Sequence, residues 1–142
     1  MNLPVKFPIA ELLKEKGIIF NTKEICFLHK NGEEITDEWI FNKFKGNIPG
    51  SIFGAKSIYA TSNIPAPTIA EVVMWLYEKH GIWIVVNPHK GKNNLGEFFM
   101  EFDPDVWSFT DECEFHNTGL LYFNSPTEAY EAAIEYTLNN LI

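Results

Sequence analysis

A chain of 142 residues can bury one hydrophobic core without metal or disulfide staples, and at 46% apolar and 21% charged it is too apolar to stay disordered. Eleven basic against nineteen acidic side chains give a formal charge of -8, and the lysines are scattered as Lys14 and Lys16, Lys43 and Lys45, Lys90 and Lys92. That distribution excludes the basic stripe needed to displace counterions from a phosphate backbone, and no apolar run nears the ~20 residues of a membrane-spanning helix.

The opening "MNLPVKFPIAELLKEKG" carries neither the apolar core nor the cleavage site of a signal peptide, so the expected location is the cytoplasm. In that compartment Cys26 and Cys113 are expected as buried thiols rather than a disulfide.

In chain order, "FPIAELLKEKG" predicts a first helix. Pro8 suits the first turn, Ile9, Leu12 and Leu13 recur at helical spacing, and Gly17 supplies a left-handed stop. "KEICFLHKNGEEI" sets Asn31-Gly32 between two apolar-containing runs, a hairpin signature. "TDEWIFNKF" reads as a brief helix begun by Thr36 or Asp37. Residues 46–66, rich in Gly, Pro and Ser, read as a flexible loop holding a short strand near Ser57 to Ala60. Residues 1–142 are expected to form a single domain, because neither half would bury enough surface alone.

"PTIAEVVMWLYEKHG" is a capped amphipathic helix over 67–80. Thr68 and Glu71 make a capping box, Ile69, Val72, Val73, Leu76 and Tyr77 form the apolar face, and Gly81 ends it. "IWIVV" follows as a buried strand, then "HKGKNN" as a polar loop, then "LGEFFMEF" as a strand alternating Phe98, Met100 and Phe102 against Phe99 and Glu101. Pro104 suggests that a turn has begun, "DPDVWSFTDECEFHN" reads as an irregular excursion with a short strand inside it, and "TGLLYF" as a further strand. The last helix spans 125–140 and is expected to start with a second capping box, with Ser125 as cap, Pro126 at the first position and Glu128 three beyond the cap. Ala129, Ala133, Ile134, Tyr136 and Thr137 face one way, and Glu128, Glu131 and Glu135 form an acidic stripe on the other. Helix, strand, strand, strand, helix with short connections predicts an α+β fold. The expected antiparallel sheet has three or more strands, with the 67–80 and 125–140 helices on one face and an N-terminal helix and hairpin added.

"PTIAEVVMWLYEKHGIWI", "FNSPTEAYEAAIEYTLNNLI" and "IAELLKEKG" closely resemble segments of small acidic proteins encoded by bacteriophages and prophages of gut Bacteroidales. The resemblance covers the first helix and residues 67–86 and 123–142. It implies a phage-encoded protein acting inside an infected bacterium, and it nominates no catalytic residue. The element order also resembles that of double-stranded RNA-binding domains, which grip phosphates with lysines at the start of the second helix. Here that position reads "SPTEAYE", with Glu128 and Glu131, so duplex RNA is disfavoured.

Candidate sites are sparse. Cys113 and His116 lie beside Asp111, Glu112 and Glu114, with His89 as a third ligand, but a structural zinc site needs two such pairs. Of the carboxylates Glu101, Asp103 and Asp105, alternation puts Glu101 and Asp103 on one strand face that a divalent ion could bridge, yet no lysine or histidine completes a nuclease site. "GSIFGAKS" has the wrong spacing for a phosphate loop, and no Gly-x-Ser-x-Gly elbow occurs. His80 falls in the apolar stripe, where it would meet the terminal helix carbonyls. Trp75 is set between Glu71 and Lys79 at i, i+4 spacing, on the charged side of its helix. It either packs under the N-terminal hairpin or the 46–66 loop, or belongs to a partner surface, and the same choice applies to Trp39 and Trp107.

The expectation is a non-enzymatic accessory protein without cofactor or metal. It would bind a host or phage protein, or a second copy of itself, through Glu71, Trp75 and Lys79 or through the acidic stripe of Glu128, Glu131 and Glu135. The alternatives are a small-ligand-binding protein or metal-dependent enzyme using a helix–sheet pocket lined by Trp107, His116 and His89, and a minor virion component.

Overall fold

The computed structural model describes residues 3–20, 26–30, 33–34 and 62–142. The brief helix expected from Thr36, the strand expected near Ser57 to Ala60, Trp39 and the "GSIFGAKS" segment lie outside them. The chain divides into two compact units, residues 1–9 with 67–142, and residues 10–66.

The first helix, α1 (Phe7–Glu15), spans the boundary and buries Ile9, Ala10 and Leu13. It stops as expected: Gly17 takes φ 71°, and Ile18 N–H donates to Leu13 O at 2.9 Å. In the 10–66 unit, β1 (Cys26–Lys30), β2 (Glu33–Glu34) and β3 (Ser62–Pro65) form an antiparallel sheet in the order β2-β1-β3. Lys30 pairs with Glu33, so the two paired strands are separated in sequence by Asn31 and Gly32, which lie outside the described residues.

The other unit holds α2 (Ile69–His80), β4 (Ile82–Lys92), β5 (Phe98–Phe109), β6 (Cys113–His116) and α3 (Pro126–Asn140), with strand order β4-β5-β6, all antiparallel. The fold class is α+β, as the sequence predicts. The capping box is present in full: Glu71 N–H donates to Thr68 Oγ1 at 3.2 Å, and Glu71 Oε2 accepts Thr68 N–H at 2.7 Å. The adjacent Ile69 N–H, which no helix carbonyl can serve, donates to Leu3 O at 2.9 Å. At the far end Gly81 adopts φ 64°, and its N–H reaches the carbonyls of Leu76 and Tyr77.

The core lies on one face of the sheet. Ile82, Ile84 and Val106 are buried there, together with Ile69, Val72, Val73 and Leu76 of α2 and Ala129, Ala133, Ile134 and Leu138 of α3. Each large side chain contributes roughly 1.5–3 kcal/mol on burial, before the compactness of the unfolded chain is discounted. The α3 alanines let that helix run close against β4 and β5. Thr137 is tolerated at 0% exposure because its hydroxyl donates to Ala133 O at 2.8 Å.

In the 10–66 unit, Ser62–Pro65 is a strand within the segment expected as a loop, and in the other unit three segments differ from expectation. β4 continues through "HKGK" to Lys92, and β5 continues through Pro104 to Phe109, so the two form one long ribbon. Neither proline breaks it, and the pairing explains why. Phe109 N–H donates to Gly81 O, so odd-numbered residues of both strands bond across the ribbon, and even-numbered ones point away. Pro88 therefore turns its missing donor to the free edge of β4. Pro104 turns its own to the gap between the Phe102–Phe123 bridge and the end of β6. Gly91 is covered by the Phe99 ring from the facing strand. The loop sits lower down: Asn93 Oδ1 accepts from Leu95 N–H and Glu97 N–H at 2.9 Å, with Gly96 at φ 83°.

The third sheet strand is Cys113–His116, not "TGLLYF". Gly119 at φ 69°, with Asn117 and Thr118 side chains accepting from Gly119 and Leu120 N–H, bends the latter segment out of a ladder. Only Phe123 pairs there, exchanging two 2.9 Å bonds with Phe102.

Candidate functional site

Period-two alternation assigns the second face of the sheet to Trp83, Val85, Asn87 and His89 of β4. They stand opposite Trp107, Asp105, Asp103 and Glu101 of β5. None of these side chains is fully buried, whereas the helix-facing set Ile82, Ile84 and Val106 is. This second face has an aromatic end and a polar middle.

The aromatic end is built by three elements. Trp83 and Trp107 are cross-strand partners, and Phe115 of β6 sits opposite Trp107 with ring centroids 4.9 Å apart. From α2, Tyr77 meets Trp83 edge-on at 5.2 Å. Met74, Tyr77, Trp83 and Phe109 line an open groove of about 440 Å³. Met74, Tyr77, Phe109 and Phe115 are 44%, 47%, 47% and 49% exposed, far more than packing alone requires of such side chains.

In the polar middle, Asn87 Nδ2 donates to Asp105 Oδ2 at 2.8 Å, and His89 Nε2 lies 3.6 Å from Asp103 Oδ2. The Tyr122 ring stands edge-on to His89 at 5.4 Å. Glu101 and Asp103 thus share a face as alternation predicts, and Asp105 joins them because Pro104 lies within a strand instead of starting a turn. Among the described residues no group of His, Cys, Asp and Glu is placed to hold a metal ion. Cys113 and His116 cannot chelate together, because their cross-strand partners Phe109 and Val106 lie on opposite faces.

The pocket of Trp107, His116 and His89 is likewise not assembled. His116 turns to the helix side, where Nε2 meets Ser108 Oγ at 3.0 Å, and the other two occupy the opposite face. Cys113, expected as a buried thiol, is exposed, at the start of β6, an edge strand among the described residues. Tyr77, expected in the apolar face of α2, lies on its rim and is half exposed.

On α2, Glu71 is exposed, and its carboxylate is engaged by the cap, accepting from Thr68 N–H and Thr68 Oγ1 at 2.7 and 2.9 Å. Lys79 is exposed. Trp75 is half-buried with its ring edge-on to His80, centroids 4.9 Å apart.

On α3, Glu128 and Glu135 are exposed but Glu131 is not: it is 5% exposed. Its Oε1 accepts Lys6 N–H at 3.0 Å, and Lys6 Nζ lies 3.0 Å from Oε2. That second contact is close enough for an ion pair but misses hydrogen-bond geometry, so Oε2 is left without a donor. Contact with the Glu131 carboxylate, helped by its charge and by Glu128, raises the Lys6 pKa above 10.5, with slight desolvation working against it. These groups border a shallow groove of about 310 Å³ floored by Pro8, Ile9, Phe123 and Ala132. The acidic stripe is therefore interrupted at its centre.

The sequence alone does not show the groove, because "IWIVV" reads as a buried strand and Pro104 as the start of a turn. Continuing the Phe99, Glu101 alternation through Asp103 and Asp105 would have placed Trp107 and Phe109 together on the open face. No protein-family model matches the chain, and no curated protein or solved structure matches it.

Proposed function

We propose that this chain is a non-enzymatic protein-binding domain whose binding surface is the aromatic end of the open sheet face. The observation that supports it is the groove of Met74, Tyr77, Trp83 and Phe109, continued by Trp107 and Phe115. Keeping such side chains half exposed costs solvation free energy, and contiguous apolar patches of this kind mark interaction sites. Trp and Tyr dominate interface hot spots, and a methionine lets a pocket adapt its shape. The acidic residues of α3 are not the centre of binding, since Glu131 is committed to Lys6. The phage setting, and with it the cytoplasm of an infected bacterium, rests on the resemblance of residues 67–86 and 123–142. The partner in this reading is a host or phage protein, or a second copy of the chain.

A photo-crosslinking residue placed at Phe115, and separately at Glu135, tests the reading in infected cells. The expected outcome is a discrete protein adduct from position 115 and none of comparable yield from position 135. Equal yields from both, or none from position 115, would remove the groove as the binding surface.

A further inference from the structure

The β4–β5 ribbon outruns its core. From Pro88 round to Met100 every residue except Gly91 is exposed, leaving a two-stranded arm wet on both sides. Such a ribbon gains little from water alone, and a hydrophobic contact is what normally holds one. On its helix-side face Lys90 pairs with Met100 and Lys92 with Phe98, and the Lys90 ammonium sits 4.0 Å from the Phe98 ring centroid. Phe98 is 65% exposed, Met100 48%, and Leu95 at the tip 84%. Two lysines against the single Glu97 make the arm a local cation on a chain of charge -8.

The groove at the other end of the sheet has the complementary character. Its floor is apolar, and its borders are acidic: Glu71 and Glu78 flank Met74 by three and four residues on α2, and Asp111 and Glu112 follow Phe109 directly after Thr110. All four are exposed. Arm and groove of one chain are about 30 Å apart, nine residues at ~3.3 Å each, so the arm cannot fold onto its own groove. Only another copy can supply it.

We propose that the arm of one copy docks in the groove of a second. Phe98 and Met100 lie against Tyr77, Trp83 and Phe109, and Lys90 and Lys92 face Glu78 and Asp111. The inference rests on the reading that the groove binds protein, and it names the partner as this chain itself. Salt screens charges beyond about 8 Å, so local complementarity at the contact outweighs the repulsion between two acidic bodies.

Sedimentation of four samples across a concentration series tests it. They are wild type, the arm variant Lys90→Glu with Lys92→Glu, the groove variant Glu78→Lys with Asp111→Lys, and an equimolar mixture of the two variants. All four altered side chains are exposed, and circular dichroism checks that each variant folds. Wild type is expected to associate, each variant to associate at least about tenfold more weakly, and the mixture to recover, because a reversed arm then meets a reversed groove. Wild type that stays monomeric to about 1 mM, or a mixture that does not recover, overturns the inference. If the chain is monomeric but position 115 still crosslinks to a different protein, the broader reading stands without this one. Association unaffected by Phe109→Ser overturns the arm-in-groove inference, and the broader reading falls only if position 115 yields no protein adduct.

Discussion

Replacing Glu131 separates two roles that one buried carboxylate plays. Glu131→Ala deletes the acceptor for Lys6 N–H, a part-buried donor, and deletes the partner of the Lys6 ammonium. Leaving the amide unsatisfied costs about 1–3 kcal/mol. The ion pair adds less than about 1 kcal/mol, because the Lys6 side chain is 64% exposed and can return to water. The expected total for Glu131→Ala is about 1–4 kcal/mol, and for Glu131→Gln, which keeps a carbonyl oxygen facing the amide, under about 1 kcal/mol. The pair has its own pH signature. A lysine whose pKa is raised on folding stabilises fully below its unfolded value near 10.5 and loses that contribution as pH rises through the higher folded value. Urea unfolding at pH 7 gives the two penalties, and a series upward from pH 9.5 gives the alkaline loss, which Glu131→Gln should lack. If Glu131→Gln costs as much as Glu131→Ala at pH 7, charge and not the amide acceptor dominates, and the reasoning fails. If neither costs anything, Glu131 belongs to an exposed acidic stripe after all.

Gly81→Ala should destabilise by about 1–3 kcal/mol, since φ 64° disfavours a Cβ that would also lie 3.2 Å from Phe109 O. Gly17→Ala, at φ 71° with nothing among the described residues within 4 Å, should cost less, and equal losses in thermal unfolding would count against the crowding argument. Leu138→Ala, fully buried on α3, should cost about 2–5 kcal/mol, against ±0.5 kcal/mol for Leu121→Ala at 74% exposure, measured by the same denaturant titration. Cys113 should react with a thiol reagent in the native protein without denaturant, read by peptide mapping. A rate that rises only on adding denaturant would show it shielded.

What the amino-acid order determined alone is local. The box of Thr68 and Glu71, the Ser125 cap on α3 and the stops at Gly17 and Gly81 each depend on residues within a few positions of one another. Backbone sterics and a single side-chain bond settle them, and so both helices on the sheet could be bounded from the sequence. The buried stripe of Ile69, Val72, Val73 and Leu76 follows from helical period for the same reason.

The tertiary structure decided everything that depends on which strand lies alongside. Whether Pro88 and Pro104 end a strand turns on the direction of one missing donor, which only the neighbouring strand reveals. Whether Glu131 joins an exposed stripe turns on Lys6, 125 residues away along the chain. Trp75, odd on its helical wheel, gains a ring neighbour in His80 and stays half-buried. The groove of Met74, Tyr77, Trp83 and Phe109 combines a helix with two strands paired across the ribbon. No periodicity within one segment encodes it, because it exists only once that register is set.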